Sequence, residues 1–98
     1  ETANVAYLGK PALGERMAAV ECGADGAIYM ACGRPAARIA RFIPGEDRFE
    51  ILGEIRDDEL GERAYQVHDL CIAADGTIYA GENDNFRRSS YLWECRIV

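Results

Sequence analysis

The chain has no long apolar run. The longest uninterrupted stretch is about half a dozen residues, against the roughly 20 that a membrane-spanning helix needs, and no such helix is expected. It has no basic excess either: 17 Asp and Glu against 11 Lys and Arg leave a net charge of −6. The averaged field repels nucleic acid and anionic lipid, so neither a nucleic acid nor a membrane is expected as a partner. No Cys-x-x-Cys pair occurs among Cys22, Cys32, Cys71 and Cys95, and His68 is the single histidine. That spacing does not point to zinc. The cysteines read as small buried apolar side chains in a reducing compartment, which favours the cytoplasm, with long-range pairing left open. Glu1 is not an initiator methionine, and sequence is expected to precede it. No stretch carries the period of a stable helix; a marginal segment at 57–63 has glycine against it.

What is present is enough apolar surface for a folded domain, with 49% hydrophobic and 29% charged residues, and this excludes disorder. Above all there is a repeat. Ala24-Asp25-Gly26-Ala27-Ile28-Tyr29 returns as Ala74-Asp75-Gly76-Thr77-Ile78-Tyr79. Each copy is a turn dipeptide followed by a β-branched and aromatic run, the local signature of a hairpin, because Gly accepts positive φ and Asp tolerates it. Leu13-Gly14-Glu15-Arg16 returns as Leu60-Gly61-Glu62-Arg63 and fixes the repeat a second time.

Read in order, the chain predicts eight strands in two units, 4–47 and 48–98. The first unit holds strands at 4–8, 17–22, 27–32 and 37–43, and the second at 48–53, 65–72, 77–81 and 91–98. A tight turn at Asp25-Gly26 sets Cys22 opposite roughly Tyr29 and Cys32 opposite roughly Ala19, so those two cysteines do not face each other. The run 27–32 is apolar on both alternating faces, as a strand covered on both sides is. Gly33-Arg34-Pro35 breaks it. The second unit carries one insertion, Glu82–Ser90.

Repeats of this length, with these turn-plus-strand phrases, resemble the four-stranded blades of bacterial β-propellers of the NHL and sugar-lactonase-like type. The resemblance implies an all-β fold of two antiparallel blades belonging to a larger ring. Such rings hold about four to eight blades, so further blades are expected from identical chains or from the rest of a longer protein. The strand before each Asp-Gly turn would line the channel. One end of the ring would then collect Glu15, Arg16, Arg34, Glu62, Arg63, His68, Asp69 and the inserted loop.

That end supplies the candidate ligand residues: His68, Asp69, Asn83, Asp84, Asn85, Phe86, Arg87, Arg34 and Arg63. His68 offers a base or ligand near neutral pH, but adjacent strand residues point to opposite faces, so His68 and Asp69 form no dyad without a bulge. Glu82 and Asp84 carry the oxygen donors that Ca or another divalent metal prefers, without EF-hand spacing. The plainer reading is a loop whose Asx side chains satisfy its own backbone, with Arg87 and Arg88 paired to Glu82 or Asp84. Phe86, an aromatic in a polar loop, has the least reason to be core. Two functions follow: a ligand-binding or interaction scaffold for a small polar ligand, a glycan or a protein, and, as the alternative, part of a metal-assisted hydrolase or lyase of the lactonase-like kind. The scaffold is preferred, because a fold alone establishes no chemistry.

Overall fold

A computed structural model describes residues 4–11 and 16–97 of the chain. Among these residues the protein is all β and antiparallel, and no helix is long and apolar enough to cross a membrane. β1 (Met17–Cys22), β2 (Ile28–Cys32), β3 (Arg38–Ile43) and β4 (Arg48–Glu54) form a four-stranded sheet in sequence order. β5 (Arg56–Asp57) and β6 (Glu62–Arg63) make a short ribbon, and β7 (Gln66–Ile72), β8 (Ile78–Asn83) and β9 (Leu92–Cys95) a three-stranded sheet.

Both Asp-Gly turns form, with one local geometry. Gly26 and Gly76 lie at φ 84° and 91°. Asp25 Oδ1 accepts the Ala27 N–H and Asp75 Oδ1 the Thr77 N–H, each at 3.0 Å. The loop closes on Gly23 N–H to Ala27 O in the first copy and on Ala73 N–H to Thr77 O in the second. This loop is longer than a two-residue turn, so the register differs from the expected one: Cys22 faces Ile28 and Cys32 faces Met17. The Asp side chain caps a five-residue loop, a local competitor that a tight turn does not need. Valine at Gly76 is expected to cost about 2 kcal/mol, since a β-branched residue is strained at that φ. An unchanged thermal midpoint would mean that the turn had switched type.

The strand pairing also differs. Arg48–Glu54, expected to open the second unit, pairs with β3 and completes the first sheet. Residues 4–8, expected to be a strand, lie in none. The 57–63 segment is neither helix nor plain loop but the β5–β6 ribbon, in which Arg56 faces Arg63. The Leu13–Glu15 part of the first Leu-Gly-Glu-Arg motif lies outside the described residues.

The sheets pack with unlike faces. Ala19, Tyr29, Ala31 and Ile39 of the first meet Leu70, Ile78, Ala80 and Trp93 of the second in one core. The opposite face of the first sheet makes a second cluster of Met30, Cys32, Ala40 and Phe42, with Phe49 tilted against Phe42 at 4.9 Å. Between the sheets three buried residues close a ring of main-chain bonds: Ala37 N–H to Ala64 O, Ala64 N–H to Ile55 O, and Ile55 N–H to Ala37 O, at 2.9–3.0 Å. Equivalent bulges interrupt β1 between Met17 and Ala19 and β7 between Val67 and Asp69.

Candidate functional site

β8 runs one residue beyond its first-sheet counterpart β2 and ends on Glu82-Asn83. Glu82 occupies the place that Cys32 holds in the first sheet, fifty residues earlier, and its side chain is fully buried. A buried carboxylate needs donors on both oxygens. They come from the inserted loop and its stems. Arg88 Nη1 donates to Oε1 at 2.6 Å and Nη2 to Oε2 at 3.2 Å. The Tyr91 N–H reaches Oε1, and the Tyr65 N–H and Asn85 Nδ2 reach Oε2, all within 2.9 Å. Burial alone would push the Glu82 carboxyl up; the bonds from Arg88, Asn85, Tyr65 and Tyr91 outweigh it and hold it at about 2.

Arg88 is the other half of the lock. Besides Glu82 it donates to Glu62 Oε2 at 3.0 Å and to the carbonyls of Arg63 and Ser89, and its guanidinium lies 3.6 Å from the centre of the Tyr91 ring. One side chain thus ties the inserted loop to β6, β8 and the stem of β9. Sequence reasoning anticipated a pairing of this kind on the loop. Glu62 was expected at the same end as this loop; Tyr65 was not, because its contact with Glu82 is made by the main-chain N–H, which carries no side-chain signal.

The lock presents the loop tip over a groove of about 460 Å³. Pro35, Arg63, Tyr65, Asn85, Phe86 and Arg87 are among its walls, with acidic residues of the β4–β6 region opposite. Phe86 is 84% exposed and stands edge-on to Tyr65, ring centres 5.2 Å apart. Most charges here are already satisfied. Arg56 pairs with Glu54 and Asp58, and Arg63 with Glu54. Arg87 differs. Its N–H donates to Asn85 Oδ1, while among the described residues no ion pair engages its guanidinium. Comparison with protein-family models, curated proteins and solved structures finds no match.

The other candidates lie close by but outside this groove. Arg34 is exposed and precedes Pro35 across a cis peptide bond. His68, the bulged residue of β7, faces a second cleft of about 440 Å³ with Arg16, Met17 and Gln66, between the two inner strands. Its Nδ1 lies 3.0 Å from Asn83 Nδ2. The bulge that a His68–Asp69 dyad requires is present, but Asp69 lines neither cleft and makes no bond to His68. Asp84, at φ 58°, accepts from Asn83, and Glu82 is saturated by protein donors. Among the described residues no group of three or more His, Cys, Asp and Glu converges as a metal would require. All four cysteines are free; burial pushes the Cys32 thiol up, and burial with the nearby Glu94 charge pushes Cys95 up to about 11. Neither is a thiolate at neutral pH.

Proposed function

We propose that this chain is a two-unit segment of a β-propeller-like repeat and acts as a binding scaffold. Its ligand lies in the groove under the inserted loop. The packing of unlike faces supports the repeat reading, since such an interface can be continued by further units. One observation carries the ligand class: the exposed Phe86 ring and the Arg87 guanidinium, which no ion pair engages among the described residues, are neighbours on a wall anchored by the Glu82–Arg88 pair. An aromatic face takes the apolar side of a ring, and a guanidinium takes an anionic group by a two-point bond. A sugar that bears a carboxylate has both features.

The test is a nuclear magnetic resonance titration with an oligosaccharide ending in a uronic acid, alongside its neutral counterpart. Shifts should concentrate on Tyr65, Phe86 and Arg87. Phe86→Ser should weaken both ligands about tenfold, the loss of about 1.4 kcal/mol, and Arg87→Ala should abolish the preference for the acidic one. Absence of shifts in the groove with either sugar would overturn the assignment.

A further inference from the structure

The two sheets are built on one plan but, among the described residues, hold four and three strands. β2 and β3 correspond to β8 and β9: Ile28 faces Phe42 as Ile78 faces Cys95, and Met30 faces Ala40 as Ala80 faces Trp93. In the first sheet the outer edge of β3 is covered by β4. In the second, β9 has no neighbour on that side among the described residues. Leu92 on this edge is 76% exposed, and a row of unpaired main-chain groups runs beside it.

The chain holds one other copy of the covering segment. Asn4-Val5-Ala6-Tyr7-Leu8-Gly9 matches Arg48-Phe49-Glu50-Ile51-Leu52-Gly53 position by position, with apolar residues at the second, fourth and fifth places and glycine at the sixth. The two glycines share an unusual backbone, φ 115° at Gly9 and 143° at Gly53. Among the described residues, residues 4–8 nevertheless pair with no strand, and Val5 and Tyr7 are 89% and 83% exposed. Gly9 lies against the Phe49 ring on β4, the outer strand of the first sheet. A chain's own segment is therefore held at the sheet that needs no fourth strand.

We infer that residues 4–9 of one copy of this chain add to the β9 edge of a second copy as a fourth strand. The β3–β4 ladder supplies the register. Ile39 faces Gly53, Ala40 faces Ile51, Arg41 faces Glu50 and Phe42 faces Phe49, with Leu52 bulged out. Transferred to β9, Leu92 faces Gly9, Trp93 faces Tyr7, Glu94 faces Ala6 and Cys95 faces Val5. Val5 then covers the half-exposed Cys95 as Phe49 covers Phe42. The contact is head-to-tail, since donor segment and acceptor edge are different surfaces, so it propagates to a closed ring or an open chain of copies. It is independent of the groove: the uronic acid titration can fail while the edge pairs, and the reverse.

Two measurements on the 98-residue chain test it. In sedimentation velocity over a concentration series the mass should rise from 10.8 kDa to multiples of it, while Tyr7→Pro, which removes a ladder donor from a segment outside both sheets, should stay at one copy. The register is tested by mixing a chain carrying Ala6→Cys with one carrying Glu94→Cys, both in a Cys22→Ser, Cys71→Ser background, under air with a copper catalyst. Facing antiparallel residues lie about 4.5–5.5 Å apart, within disulfide reach. The mixed disulfide should form about a hundredfold faster than one from Tyr7→Cys, whose side chain points to the other face. A single-copy mass up to millimolar concentration would overturn the inference. So would association that survives Tyr7→Pro, or a cross-link no faster from Ala6→Cys than from Tyr7→Cys.

Discussion

Replacing Arg88 by alanine is expected to lower the stability of the fold by about 3–5 kcal/mol, the usual cost of stranding a buried charge. For a chain of this size that is a fall in thermal midpoint of roughly 12 °C or more. The effect is large because Glu82 is fully enclosed and takes two of its five donors from this one guanidinium. Lysine should recover only part of it: the charge returns, but the fork that reaches both Glu82 oxygens and Glu62 does not. Thermal unfolding followed by circular dichroism measures both variants. A midpoint within two degrees or so of wild type for Arg88→Ala would mean that the loop does not depend on the pair.

The same carboxylate makes stability depend on pH. Glu82 titrates at about 2 in the folded chain against an ordinary 4.5, so unfolding takes up a proton between those values. Its contribution is complete above pH 4.5 and is lost as the pH falls toward 2. The shift corresponds to about 3 kcal/mol. Asp25, held down by the Tyr29 hydroxyl and then the Ala27 N–H, and Asp75, held down by Thr77, act in the same direction. In Glu82→Gln the acid limb of the stability profile should flatten. A limb as steep as that of wild type would assign the titration to other carboxyl groups.

The second large effect separates two residues that the repeat makes equivalent. Ile78→Ala is expected to cost about 2–5 kcal/mol, because Ile78 is 1% exposed in the core between the sheets. Ile28→Ala, at the same place in the first unit, should cost less than half as much, since Ile28 is only half-buried at the margin of the outer cluster. Urea unfolding of the two variants gives the comparison. Equal losses would mean that the two isoleucines are buried alike and that the sheets do not pack unlike face to unlike face.

Much of the architecture was legible because it is local. An Asp-Gly pair selects its turn within a few residues, and the Asp25 and Asp75 side chains bond only two residues ahead. Apolar, β-branched and aromatic runs between turn residues marked β1, β2, β3, β7, β8 and β9 to within a few residues, and the loop pairing of Arg88 with Glu82 spans only six positions. The sheet that β4 joins was not legible. Arg48–Glu54 carries the same apolar pattern whether it opens one sheet or closes another, and the choice fell to the Pro44-Gly45 turn, which folds β4 back on β3. The β5–β6 ribbon is two residues wide, too short for any period to show.

The candidate site divides along the same line. Phe86 and Arg87 could be singled out because an aromatic and a cation in a polar insertion stand apart from their surroundings. Glu82 carried a signal of its own, an acid where the first unit has Cys32, next to an insertion bearing two arginines. What the sequence alone determined about this protein is its turns, its antiparallel strands and the polar loop that interrupts the second unit. Tertiary structure alone decided which face of each sheet is covered, which strand belongs to which sheet, and that Tyr65 joins the loop at the groove. A period of two residues distinguishes two faces of a strand but does not name the one that meets a neighbour; that choice belongs to contacts dozens of residues apart in the chain.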